Sequence, residues 1–162
     1  MTDSTLTAIY RGWETYQGYL IQALTPLSNE QLQLGVAPSL WPISRIARHI
    51  IAARVYWYHA ILRMGDPEIF KPMQTWDDFE VPVRSASDII GGLRTTWKLM
   101  QDAIASWSTA DLESSISRRR SDGTEETLTR QWIIWHVIEH DVHHGGEISI
   151  ALGANGLTGL DL

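Results

Sequence analysis

Six histidines, nineteen acidic residues and no cysteine define the metal chemistry open to this chain of 162 residues. Without a thiolate, a bound metal would have to be held by imidazole or carboxylate. His136, His140, His143, His144 and Glu147 crowd into one short stretch. At about 100° per residue on a helix, with His136 at zero, His143 falls near −20°, Glu147 near +20°, His140 near +40° and His144 near +80°, an arc of about 100°. Trp132, Ile133, Val137 and Ala151 share that side, which is therefore expected to face the interior. An imidazole buried there without a hydrogen bond costs about 1 to 3 kcal/mol, and a divalent metal would satisfy several at once. His140 and His144, spaced i to i+4, set two ring nitrogens one turn apart, the usual way for one helix to give two ligands.

A third ligand is available on an earlier stretch. His49 shares a stripe with Ile46, Ile50, Ala53, Trp57 and Ala60, where a lone histidine looks misplaced unless it has a partner. His59, about 80° round from His49, is read as an edge residue. His136 and His143 are read as packing or hydrogen-bonding groups rather than ligands. Glu147, Asp141 and Glu139 are candidates for accepting the distal N–H of a ligating histidine, and Glu147 is the best placed of them by angle. Glu147 is also the candidate proton carrier.

The elements that must position these residues are helices. Leu6, Ile9, Tyr10, Trp13, Tyr16, Leu20 and Leu24 recur at threes and fours, which predicts a first helix over 5–24. A short turn follows near Ser28–Gln31, and a second helix of about 23 residues opens at Trp41-Pro42 and stops at Gly65. Pro67, Pro72, Pro82 and the acidic cluster Asp77, Asp78 and Glu80 predict a long connection. Ser85 or Ser87 caps a third helix reaching Trp107. The segment 108–126 holds a short hairpin at most, and its run Arg118-Arg119-Arg120 reads as a solvated loop. The fourth helix starts near Thr127 or Thr129 and ends at Gly153. Four long helices with long second and third connections imply an all-α fold, an antiparallel four-helix bundle with crossover connections, in one domain over residues 1–162.

Composition narrows the function. A net charge of −6 repels phosphate backbones, so nucleic-acid partners are not expected. The segment Met1 to Leu6 has neither a basic nor an apolar targeting region, and no stretch approaches the roughly 18 apolar residues of a membrane span. A cytoplasmic protein is the expectation. Eight tryptophans are more apolar surface than one small core absorbs comfortably. Trp41, Trp57, Trp132 and Tyr56 are candidate walls of a pocket over the metal. His136-Val137-Ile138-Glu139-His140 fits the H-x-x-E-H pattern of inverted zinc peptidases. That motif needs an acidic ligand well downstream, and only Asp141, Glu147 and Asp161 follow, so a peptidase is set aside.

With these residues in view, the chain resembles the DinB/YfiT-like superfamily of metal-binding four-helix bundles. The resemblance rests on the helix-two histidine in Trp41-Pro42-Ile43-Ser44-Arg45-Ile46-Ala47-Arg48-His49-Ile50 and on Thr129 to Glu147, similar to a final helix reading H-x-x-x-H then Arg-Gly-Gln or Arg-Gly-Glu. Gly145 stands where the family often has Arg. The resemblance implies a three-histidine site on His49, His140 and His144, a homodimer, and a small-molecule substrate handled by thiol-dependent transferase or isomerase chemistry with mycothiol, bacillithiol or glutathione. Three imidazoles leave open coordination positions. Coordination to a divalent cation deprotonates a low-molecular-weight thiol, which can then attack an electrophile, and water in its place would make a hydrolase. The rival reading is a non-enzymatic metal-binding scaffold. Imidazole donors suit several divalent metals, with Zn2+ or Ni2+ the expected occupants.

Overall fold

The periodic stretches become helices, with local differences that have physical causes. The structure, a computed structural model, describes residues 5–78, 82 and 84–162; Glu80 of the acidic cluster and residues 1–4 of the N-terminal segment lie outside them. The first stretch forms two pieces, α1 (Thr5–Ile9) and α2 (Arg11–Leu24), because Tyr10 leaves helical geometry at φ −93°, ψ 14°. Its periodic residues Leu6, Trp13, Leu20 and Leu24 are buried.

The second helix, α3 (Ile43–Val55), begins after Pro42 and continues as one widened π turn, Tyr56–Ile61. Trp57 and Tyr58, sequence neighbours that a regular helix separates by about 100°, are both buried there. The chain leaves the helix through Gly65, whose φ of +76° suits glycine. A side chain there would also press into the Phe70 ring and Leu99.

The connection after α3 is partly ordered. It contains α4 (Pro67–Phe70), capped by the Asp66 side chain accepting from the Glu68 N–H, and a 3-10 turn at Lys71–Met73 that buries Met73. The third long helix, α5 (Ala86–Ser106), opens on a capping box. The Asp88 N–H donates to Ser85 Oγ at 3.2 Å and the Ser85 N–H donates to Asp88 Oδ2 at 3.1 Å.

Residues expected as a loop with a short hairpin at most do form an antiparallel hairpin of β1 (Ser115–Arg119) and β2 (Glu125–Thr129), with Arg118 opposite Glu126. The architecture is therefore mostly helical with one small two-stranded sheet. The arginine run is a strand end rather than a solvated loop. Arg118 bonds Glu126 at 2.7 Å and lies 4.5 Å over the Trp57 ring, and Arg120 also holds Glu126. Thr129 ends β2 and caps α6 (Arg130–Ala154) by accepting the Trp132 N–H.

Helix α3 packs against α5 and α6, and α2 against the same two, around one core cluster. Within that core lies a charged network. Arg54 and Asp141 have fully buried side chains. Arg54 Nη2 donates to Asp141 Oδ2 at 2.8 Å and to Gln17 Oε1 at 2.9 Å, and Trp13 Nε1 donates to Asp141 Oδ2 at 2.8 Å. These bonds tie α2, α3 and α6 together and fix how α6 is rotated about its axis.

Candidate metal centre

The rotation of α6 decides which histidines meet α3. Its buried face is Ile133, Ile134, Val137, Asp141, Gly145, Ile148, Ala151 and Leu152. At about 100° per residue this face is centred roughly 120° from His136, so the histidine arc borders the interior instead of facing it. His143 is accordingly 68% exposed, whereas the His144 side chain, at the edge nearest the core, is 13% exposed.

The structure brings His49, His140 and His144 together. One ring nitrogen of each lies within 4.8 Å of the others. His49 Nε2 and His140 Nε2 are 3.2 Å apart, and ring centroids are separated by 4.9 Å (His49–His140), 4.8 Å (His49–His144) and 4.3 Å (His140–His144). His136 lies one turn off, with its ring 6.4 Å from His140, and pairs with Glu139 at 3.0 Å.

Carboxylates buttress two of the three rings. His49 Nδ1 meets Asp77 Oδ2 at 2.6 Å, and His144 Nδ1 meets Glu147 Oε2 at 2.7 Å. An acceptor at Nδ1 keeps the proton there and leaves Nε2 as a bare lone pair. Burial would raise the Asp77 carboxyl, yet its hydrogen bond and ion pair with His49 hold it below its ordinary range. Burial pushes the His144 imidazole down against the opposing pull of Glu147. His140 is pushed down to about 3, by burial first and then by His144 and His49. Its Nδ1 is buried with no hydrogen-bond partner.

These features fit a divalent metal. Three imidazoles converge, two have an acceptor at Nδ1 that sets the tautomer presenting Nε2, and a short contact between two ring nitrogens calls for a cation or a shared proton between them. The cluster His49, His140 and His144 could hold a metal ion; so could His143, His144 and Glu147, which draws on the exposed side of α6.

Several expectations are corrected. Asp141 cannot accept from a ligating histidine, because it is fully buried in the core and committed to Arg54 and Trp13. Glu139 serves His136, outside the cluster. Of the aromatic walls, Trp41 alone is in place: its ring stands edge-on to His49 at 5.2 Å and lines a cavity of about 450 Å3 beside His144 and Glu147. Trp57, Trp132 and Tyr56 instead gather round His136 and Arg118, with Trp132 stacked on His136 at 4.8 Å. His59 is an edge group as expected, its Nδ1 bonded to the Met64 carbonyl at 2.8 Å. Position 145 faces α2: a Cβ there would collide with the Tyr16 hydroxyl. A longer side chain at that position would therefore point away from the histidines.

Two features were missed. Asp77 was visible only as part of an acidic cluster, with nothing local to link it to a histidine 28 residues earlier. The Arg54–Gln17–Asp141 network did leave a trace, since Arg54 follows Ile46 and Ile50 at intervals of four and Gln17 lies between Trp13 and Leu20 at core spacing.

Comparison with known proteins agrees with this architecture. The family model of the DinB family matches residues 1–161. A DinB-like protein from Bacillus cereus ATCC 10987 superposes with a TM-score of 0.74 at 22% identity, covering 100% of this chain and 99% of that one. A conserved protein from Enterococcus faecalis superposes with a TM-score of 0.67 at 13% identity, covering 94% and 99% respectively. No curated protein matches the chain.

Proposed function

The chain belongs to the DinB family, and we propose that it is a divalent-metal-dependent enzyme that activates a low-molecular-weight thiol for S-transfer or isomerisation of a small-molecule substrate. The observation that carries this reading is the convergence of His49, His140 and His144, two of them held by carboxylates. Zn2+ or Ni2+ is the proposed occupant, from the all-nitrogen donor set. When bound, such a cation supplies a positive centre that acidifies a thiol or water.

The chain's own residues do the rest. Asp77 and Glu147 orient the rings of His49 and His144 and keep their protons on Nδ1. Glu147 has work beyond that, since it lines the cavity and its Oε1 is 3.6 Å from His143 Nε2. That oxygen is placed to take the proton released by the thiol, with exposed His143 passing it to solvent. The Trp41 ring stands edge-on to His49 and gives that side of the cluster an apolar neighbour.

The wider reading has α2, α3, α5 and α6 as an antiparallel four-helix bundle in one domain that works in the cytoplasm as a homodimer. No helix among the described residues is long and apolar enough to cross a membrane. Trp135 and Val142, exposed two turns apart on α6, are the proposed subunit contact. The test is a screen of the metal-loaded protein with mycothiol, bacillithiol and glutathione against 1-chloro-2,4-dinitrobenzene. Metal-dependent turnover with one thiol, lost in Glu147→Gln, supports the reading; turnover that is the same with and without metal contradicts it.

A further inference from the structure

The cavity beside the histidines has a composition the thiol chemistry does not explain. Apart from His144 and Glu147, which form the end next to the cluster, its one polar side chain among the described residues is Ser39. The remainder is apolar, with Val36, Leu40, Trp41 and Ile150 prominent. These four are 38% to 64% exposed, so water meets a continuous apolar surface assembled from the loop before α3 and the last turns of α6. Scattered apolar residues on a surface are ordinary, but a contiguous concave set against a polar cluster is the form of a ligand site. Its volume, about 450 Å3, lies within the roughly 300 to 1,000 Å3 usual for small-molecule sites.

The cavity is also continuous with the candidate metal centre. Trp41 touches both, standing against His49 and forming part of the cavity wall. Glu147 bonds His144 with one oxygen and lines the cavity as well. A molecule whose reacting end reaches the histidines would thus extend the rest of its length between Trp41 and Ile150. Among the described residues no cationic side chain lines the cavity, Arg45 being engaged with the Trp41 ring at 4.4 Å, and Glu147 repels an anion, so an uncharged remainder suits it.

We propose that the substrate is an amphiphile: its polar, reacting end meets the three histidines, and an uncharged alkyl or aryl tail fills the cavity between Leu40, Trp41 and Ile150. A polar thiol co-substrate would then approach from another side of the cluster. The head-group half of this proposal rests on the metal reading above; the tail half does not.

The test is a chain-length series of metal-binding probes, acetohydroxamate, butyrohydroxamate, hexanohydroxamate and octanohydroxamate, titrated calorimetrically into the Zn2+-loaded protein. Burying the tail should tighten binding by about three- to fourfold per methylene until the cavity is filled. Ile150→Asp and Leu40→Asp, both at exposed positions that do not support the core, should flatten the series while acetohydroxamate, which has no tail, binds all forms alike. Equal affinity for the short and long probes overturns the proposal. So does a series that survives intact in both variants, including the case in which the substitutions change only the mass in solution and mark the face as a contact with a second copy. Failure of the metal reading is distinct: the wild-type chain would take up no Zn2+. The tail is then read with 1-butanol, 1-hexanol and 1-octanol by tryptophan fluorescence, where the same dependence on length and on Ile150 is expected, and its absence refutes the cavity's role.

Discussion

Replacing Asp141 with Asn changes the shape of the core hardly at all and its electrostatics completely. Asp141 is fully buried and accepts from Arg54 Nη2 at 2.8 Å, from Arg54 Nε at 3.1 Å to each oxygen, and from Trp13 Nε1 at 2.8 Å. An amide offers one acceptor oxygen and turns an NH2 toward a guanidinium that is itself only a donor. Gln17 and the Leu93 carbonyl remain for Arg54, but neither carries charge. Breaking one side of such a pair leaves a buried cation uncompensated and costs about 3 to 5 kcal/mol. Against a total of about 5 to 15 kcal/mol for a domain, that is a large fraction. At about 2 to 4 °C per kcal/mol for a chain of this size, the melting temperature should fall by about 6 to 20 °C. Arg54→Met should cost a similar amount, and the double variant should cost at least about 2 kcal/mol less than the sum of the two. Urea unfolding followed by tryptophan fluorescence measures all three. A single variant within about 0.5 kcal/mol of wild type, or simple additivity, would refute the claim that this pair acts as a unit holding α6 to α3.

Asp77→Asn and Glu147→Gln should each weaken metal affinity by about 10- to 100-fold without abolishing it, as is usual for partners of ligating histidines; competition with a chelator reads this, and unchanged affinity in both removes their orienting role. In the metal-free protein, His140 is held at about 3 by burial and by His144 and His49, against about 6.5 when unfolded. The folded chain then binds fewer protons than the unfolded one across that interval, so stability falls as pH drops through it and is insensitive to this group above it. Urea midpoints at several pH values check the sign, and a midpoint that rises on acidification contradicts it. Light scattering should give twice the 18.3 kDa of one chain, and Trp135→Glu with Val142→Glu should return it to that value; a wild-type monomer removes the dimer.

The helices and the histidines were legible in the sequence for different reasons. Apolar periodicity marks α2, α3, α5 and α6 because each buries one face, and Ser85 and Thr129 mark two of their starts through capping. The spacing of His140 and His144 is geometric and survives any packing. What the sequence could not show is how far each helix is turned about its axis. A pattern read on α6 alone put the interior on the histidine side; in the structure, where Asp141 bonds Arg54, the buried face lies roughly a quarter of a revolution further round. Asp77 illustrates a second limit, since its place beside His49 depends on the path of the long connection between α3 and α5. The π turn at Tyr56–Ile61 illustrates a third, because the choice between two ladder patterns is made by burial of Trp57 and Tyr58 together.

The central claim is that His49, His140 and His144 hold one divalent metal, and elemental analysis after exhaustive dialysis of the Zn2+-loaded protein tests it most directly. Wild type should retain about one ion per chain, each of His49→Ala, His140→Ala and His144→Ala should lose most of it, and His136→Ala and His143→Ala should keep it, because the proposed site is built on those three ligands alone. Equal metal content in the first three variants, or loss in His136→Ala to match theirs, would contradict the account.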